Sequence, residues 1–293
     1  MSQLGVVGAG TMGTGVSQLF AEAGLEVVLV DSQRRALDAG REQIRTSLQA
    51  AHLVRGGGAK PLDVDAVLGR IRFTTELKDL SGAEYVVENI TEDWEAKRRL
   101  YPELDDVCPP DTVFGVNTSA IAISRIGSVT RRPEKVVGTH FMNPAHLKPT
   151  VEVIRGFRTS EDTLQRTGEL LERAGRRHIV VNDAAGFVTN RVAMLTVNEA
   201  IFLVHEGVAD VRSIDRLFKE CFGHPMGPLA TADLIGLDTV LYSLEVIYAD
   251  LNDSKYRPCP LLRRMVEAGL HGRKTGRGFH TYESATREDK AHV

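Results

Sequence analysis

Apolar residues fall into short runs in the first part of the chain and onto helical faces further along. Leu4–Val7 is an apolar, β-branched run, and glycines follow it at Gly8, Gly10 and Gly13. Residues 12–23 then carry Val16, Leu19, Phe20 and Ala23 at helical spacing, which predicts a helix with one buried face. A second run, Val27–Val30, ends at Asp31. Strand, glycine turn, helix, strand and a terminal acid make a complete β-α-β unit. More strand-like runs follow at Ile71–Thr75, Tyr85–Glu88, Val113–Asn117, Val136–Phe141, Val151–Ile154 and Ile179–Val181. Helical stretches, such as 94–104 and 162–174, lie between most of them. The alternation predicts a parallel sheet with helices on both faces.

The pattern changes after residue 184. Helical periodicity dominates from Gly186 to about Glu267. Val192, Leu195, Val197 and Ala200 fit one buried helix face; Ile214, Leu217 and Phe218 fit another; Leu241, Leu244, Ile247 and Tyr248 fit a third. The expected organisation is a Rossmann-type α/β domain over 1–184 and an all-helical domain over 185–293. A chain of 293 residues suits two domains.

Charge and composition remove several classes of partner. Acids outnumber bases 39 to 36, for a net charge of −3, so no basic excess is available for nucleic acid. No apolar run approaches the roughly 18 residues of a membrane span. The first residues, MSQLGVVGAG, enter a strand-like run without a basic leader. Three scattered cysteines, Cys108, Cys221 and Cys259, form neither a disulfide framework nor a metal-binding spacing, and the cytoplasm is the expected compartment.

The glycine turn carries the first specific chemistry. G-x-G-x-x-G alone is weak, but here it ends a strand, opens a helix and is followed by an acid at the tip of the next strand. Gly8 makes the tight turn, Gly10 lets backbone approach a pyrophosphate, and Gly13 lets helix and strand pack closely. The helix N-terminus offers N–H groups to the diphosphate. Asp31 can accept hydrogen bonds from the adenosine ribose and would repel a 2′-phosphate, which favours NAD; Arg34 and Arg35 nearby pull slightly the other way.

With these motifs in view, the chain resembles the 3-hydroxyacyl-CoA dehydrogenases. LGVVGAGTMGTGVSQLFAEAGLEVVLVD, VVENITEDWEAKRRLY, NTSAIAIS, VVGTHFMNPAHLKPTVEVIRG, GFVTNRVAMLTVNEA, GHPMGPLATADLIGLDTVL and GRKTGRGFHTY run in that family's order. The resemblance to the single-function 3-hydroxybutyryl-CoA dehydrogenase type covers nearly the whole chain. It implies an NAD-dependent, two-domain enzyme that forms a homodimer through its helical domain. It also implies His140 as catalytic histidine with Glu152 as its partner, Ser119 and Asn190 as substrate-positioning residues, and Glu92 and Lys97 at the nicotinamide end.

The implied reaction oxidises a 3-hydroxyl to a ketone. Histidine suits the accompanying proton transfer because imidazole ordinarily titrates near neutrality. A neighbouring carboxylate fixes its tautomer.

Two departures bear on the substrate. Fatty-acyl members read close to N-P-V-P-V-M-K-L-V-E between the catalytic pair, whereas this chain has His146, Lys148 and Thr150 in that stretch. Polar groups there favour a short or hydroxylated acyl group. Residues 55–60, Arg55-Gly56-Gly57-Gly58-Ala59-Lys60, replace a basic, helix-favouring stretch near the CoA. A reshaped arm suits an acyl group on a carrier protein, as in the family branch that makes polyketide extender units. The leading expectation is an acyl-CoA substrate, with an acyl-carrier-protein thioester as the alternative. A free hydroxy-acid or sugar-acid dehydrogenase is a further alternative, and a non-catalytic NAD-binding protein is a fourth. Arg273, Lys274 and Arg277 are expected to contact the other domain or subunit.

Overall fold

The computed structural model describes residues 3–54 and 63–282. The chain divides into two compact units, residues 1–184 and 185–293.

The first unit is built on one sheet. Its strands are β1 (Leu4–Val7), β2 (Val27–Val30), β3 (Ile71–Thr74), β4 (Tyr85–Glu88), β5 (Val113–Val116), β6 (Val136–His140), β7 (Thr150–Arg155) and β8 (Arg177–Asn182). They lie in the order β3-β2-β1-β4-β5-β6-β7-β8. β1, β2, β4 and β5 are buried along their whole length, so both faces of the sheet are covered and the strands read as continuous apolar runs. The helices are α1 (Thr11–Glu22), α2 (Arg34–Val54), α3 (Val64–Gly69), α4 (Trp94–Val107), α5 (Ile123–Gly127) and α6 (Glu161–Arg173). α4 and α6 begin where side chains cap them: Asp93 accepts from the Ala96 N–H at 2.8 Å and Ser160 from the Thr163 N–H at 3.2 Å.

The sheet is not fully parallel. β6 and β7 run antiparallel, while the other neighbours are parallel. The connection 141–149 is too short for a crossover helix, so the chain turns straight back. After β3 the chain returns to the far side of β1, and the strand order reverses between β1 and β4. In open α/β sheets the crevice at the carboxyl ends of strands flanking such a reversal is the ligand site.

The second unit contains α7 (Thr189–His205), α8 (Val211–Phe222), α9 (Pro228–Ile235), α10 (Leu237–Leu251) and α11 (Pro260–Glu267). Its core joins Met194, Val197, Ile201, Ile214, Leu229, Val240, Leu244 and Ile247. Three residues expected on buried faces are instead exposed: Val192 at 60%, Leu217 at 55%, and Tyr248. Met194 and Ile201 carry the buried stripe of α7, and Val192 lies two residues before Met194, about 200° around the helix. Two members of the basic cluster have partners in this unit: Lys274 Nζ is 2.6 Å from Asp238 Oδ2, and the Arg273 guanidinium sits 5.3 Å from the centre of the Tyr282 ring. No helix among the described residues is long and apolar enough to cross a membrane.

Candidate active site

The glycine turn lies at the carboxyl end of β1. Gly8 has φ +96°, and a Cβ there would stand 2.7 Å from the Asn89 carbonyl oxygen just beyond β4. A Cβ on Gly13 would stand 1.8 Å from the Gly8 carbonyl oxygen, so helix and turn touch with no room for a side chain. Gly10 differs: a Cβ there would meet nothing within 4 Å. Its bareness opens space in front of α1. That helix starts with neither a capping side chain nor an acid in its first turn, leaving its N–H groups and positive end directed at a ligand.

Asp31 closes the other side of this cradle. Its carboxylate accepts from the Ala9 N–H at 2.8 Å and from the Gln33 N–H at 2.8 Å. The first bond pins the glycine turn to the tip of β2. A carboxylate has about four acceptor positions, so two backbone donors leave capacity for ribose hydroxyls. Arg34 and Arg35 are exposed at the start of α2. Open space at Gly10, bare helix N–H groups and an acid at the tip of β2 together fit a dinucleotide.

The antiparallel turn-back brings the two predicted catalytic side chains together. His140 is paired with Glu152 across β6 and β7. His140 Nδ1 lies 3.0 Å from Glu152 Oε2, and both residues are buried. His140 Nε2 lies 3.0 Å from Ser119 Oγ. A carboxylate can only accept, so Nδ1 carries the hydrogen and Nε2 presents its lone pair on the Ser119 side. Ser119, His140 and Glu152 thus form one hydrogen-bonded chain.

Sequence reasoning passed over the residues that set this geometry. Asn117, read as the end of a strand, donates from Nδ2 to Asn89 Oδ1 at 2.7 Å and accepts from the Phe141 N–H at 3.2 Å. It therefore ties the loop beyond β4 to the residue after His140. The available signals were a short amide at a strand end and its place at the head of NTSAIAIS.

Glu92 and Lys97 were expected at the nicotinamide end. Lys97 Nζ is 2.7 Å from both carboxylate oxygens of Glu88, with the two side chains 0% and 1% exposed. The Tyr101 hydroxyl and the Ile90 N–H also donate to Glu88. Burial pushes the Glu88 carboxyl up, against the pull of Lys97. The structure thus places the ammonium of Lys97 in the interior. Glu92 stands in the loop before α4 and accepts three hydrogen bonds from the segment carrying Ser119.

Asn190 stands in the first turn of α7, in the second unit. His146 is half-buried, with Nε2 3.1 Å from Ser47 Oγ on α2, and burial lowers its pKa. Thr150 opens β7, and Lys148 is exposed. Of the three polar departures, His146 is the one whose side chain is seen hydrogen-bonded to another element. The triglycine segment 55–60 lies outside the described residues.

Comparison with known proteins gives the family and the fold. The model of the 3-hydroxyacyl-CoA dehydrogenase NAD binding domain matches residues 3–184, and that of the 3-hydroxyacyl-CoA dehydrogenase C-terminal domain matches residues 186–282. A probable 3-hydroxybutyryl-CoA dehydrogenase of Bacillus subtilis is 45% identical over 98% of this chain and 99% of its own length. The 3-hydroxybutyryl-CoA dehydrogenase of Bradyrhizobium diazoefficiens is 41% identical over 97% of each chain. The crystal structure of (S)-3-hydroxybutyryl-CoA dehydrogenase PaaH1 from Ralstonia eutropha superimposes with a TM-score of 0.91 at 39% identity, covering 97% of this chain and 100% of that one. The chain belongs to the 3-hydroxyacyl-CoA dehydrogenase family, of the 3-hydroxybutyryl-CoA dehydrogenase type, and is an NAD-dependent oxidoreductase acting on a CH–OH group.

Proposed function

We propose that the protein oxidises the 3-hydroxyl of a short 3-hydroxyacyl-CoA, with 3-hydroxybutyryl-CoA as the model substrate and His140 as general base. The observation that carries this reading is the Ser119–His140–Glu152 chain at the carboxyl ends of β5 and β6. When bound, the nicotinamide supplies the hydride acceptor. His140 Nε2 takes the hydroxyl proton as the carbinol C–H bond breaks, and returns it in the reverse direction. Glu152 holds the imidazole in the tautomer whose Nε2 acts as an acceptor and stabilises the imidazolium that forms. Ser119 Oγ, already within hydrogen-bond reach of Nε2, gives the substrate oxygen a second contact. Asn190 serves as a further anchor for the substrate, carried from the resemblance.

The short acyl preference rests on the polar residues His146, Lys148 and Thr150 that follow His140 in the sequence. The names of the relatives favour CoA over a carrier protein. The sequence departure at 55–60 keeps the acyl-carrier-protein thioester as the second reading, and the free-acid reading rests only on Lys148. NADH formation from 3-hydroxybutyryl-CoA, a glyceryl-loaded carrier protein and free 3-hydroxybutyrate, compared side by side, tests the assignment. The CoA ester is expected to react fastest. Turnover of the loaded carrier alone would overturn the CoA reading, and turnover of the free acid alone would overturn the thioester reading.

The exposed Val192, Leu217 and Phe222 of the second unit, the last at 69%, support a homodimer formed through that unit. Light scattering is expected to give the mass of two chains. The mass of one chain at micromolar concentration contradicts it.

A further inference from the structure

Ser119 stands on a segment with no regular secondary structure, between β5 and α5. A hydroxyl aimed at an imidazole from such a segment needs something to fix it. Three donors from this segment converge on one atom, Oε1 of Glu92: the Thr118 hydroxyl at 2.5 Å, the Ser119 N–H at 3.0 Å and the Ala120 N–H at 3.0 Å. The Thr118 hydroxyl in turn accepts from the Ile121 N–H at 3.0 Å, closing the turn on itself. Thr118, Ala120 and Ile121 are buried, where an unmade backbone bond is costly.

Glu92 itself is well held. It immediately precedes Asp93, whose carboxylate caps α4, and α4 is locked to β4 by the interior Lys97–Glu88 pair. The order of support runs from the β4–α4 pair to Glu92, to the turn, and to Ser119 Oγ against His140.

We infer that Glu92 is a positioning residue that acts through Ser119: its Oε1 clamps the Thr118–Ala120 turn and so sets the Ser119 hydroxyl against His140 Nε2. The inference rests on the role proposed above for Ser119. It gives Glu92 a task different from lining the nicotinamide end, and it predicts that an acceptor oxygen matters there while the negative charge does not.

The test is a set of variants assayed for kcat and for KM toward NAD with 3-hydroxybutyryl-CoA: E92A, E92Q, T118V, S119A and the double variants S119A/E92A and S119A/T118V. E92A is expected to lower kcat roughly 10- to 100-fold, with KM for NAD moved less than about twofold, because a reacting group displaced by a fraction of an ångström loses its alignment. E92Q is expected to rescue most of that loss, since the glutamine carbonyl oxygen can accept the same three hydrogen bonds. T118V removes the hydroxyl that donates to Glu92 and accepts from the Ile121 N–H, leaves the two backbone bonds to Glu92 in place, and is expected to show a smaller fall in kcat than E92A. In the S119A background, adding E92A or T118V is expected to cost less than about threefold, because residues acting as one unit are not additive.

Multiplicative losses in the double variants would overturn the inference. So would an E92A variant that keeps kcat but loses NAD affinity, with no rescue by E92Q. Wild-type turnover in S119A alone would instead overturn the proposed role of Ser119. If E92A fails to fold, E92Q and the T118V pair still decide, because each leaves a side chain of native shape in place.

Discussion

Replacing His140 by alanine lowers turnover by roughly 10²- to 10⁴-fold, the range that a positioned general base contributes, and leaves NAD binding in place. The two halves of this expectation come from different parts of the fold. The proposed cofactor cradle, Gly8, Gly10, Gly13 and Asp31, lies around the ends of β1 and β2. His140 lies at the end of β6, separated from β1 by β4 and β5. Removing the imidazole leaves the glycine turn and its bond to Asp31 intact. Glu152 is a poor substitute, because it stood on the Nδ1 side of the ring, and the space vacated by the imidazole separates its carboxylate from the position of Nε2. Titration of NAD followed by protein fluorescence or calorimetry, beside the turnover assay, checks both halves. Loss of NAD binding together with turnover would mean that His140 supports the fold of the cradle.

Replacing Lys97 by methionine destabilises the first unit by about 3–5 kcal/mol, the usual cost of removing one partner of a buried ion pair. Methionine keeps much of the length and the apolar stem, so the change is mainly the loss of the ammonium. Glu88 would keep its bonds from Ile90 and Tyr101 but lose the charge that faces both its oxygens.

The sign of the pH dependence follows from the raised Glu88 pKa. A carboxyl with a folded pKa above its unfolded value keeps its proton longer in the native state. As pH rises through the interval between the two, stability falls. Without Lys97 the folded pKa rises further and that interval widens. The K97M deficit is therefore largest at neutral and alkaline pH and shrinks as the solution is acidified towards protonation of Glu88. Urea unfolding of the wild type and K97M at several pH values measures it. The double variant K97M/E88Q, which removes the stranded charge, is expected to recover most of the loss. A K97M protein of wild-type stability with weakened NAD binding would return Lys97 to the nicotinamide end.

The first β-α-β unit was legible because its chemistry is local. The glycine spacing, the close contact of Gly13 with Gly8 and an acid at the strand tip all fall within thirty or so residues, whereas the contact that demands a glycine at position 8 comes from Asn89, and β1, β2 and β4 fall on the predicted ranges. The antiparallel β6–β7 pairing was not read from the strand pattern, although the short 141–149 connection implied it. That pairing is what gives His140 and Glu152 their register. The helical faces of the second unit were read less well. Val192 and Leu217 are apolar yet exposed, and periodicity alone does not separate a face buried in the unit from one left for a partner.

The roles of Glu92 and Lys97 came from resemblance, and their contacts are long-range. Glu92 reaches a turn 26 to 28 positions ahead, and Lys97 reaches back across nine. Asn117 opens the NTSAIAIS motif, but nothing in the sequence stated its bonds to Asn89 and Phe141. Such contacts are set by how strands are ordered in the sheet, which no local spacing states.

The most direct test of the central claim is the rate of NADH formation by the His140→Ala protein from 3-hydroxybutyryl-CoA, with and without added imidazole. The account predicts a rate reduced by orders of magnitude that climbs with imidazole concentration, because the free base replaces the missing proton acceptor while the rest of the site stays formed. A rate within a few-fold of wild type without imidazole would contradict it, and the proton would then leave by a route that does not pass through His140.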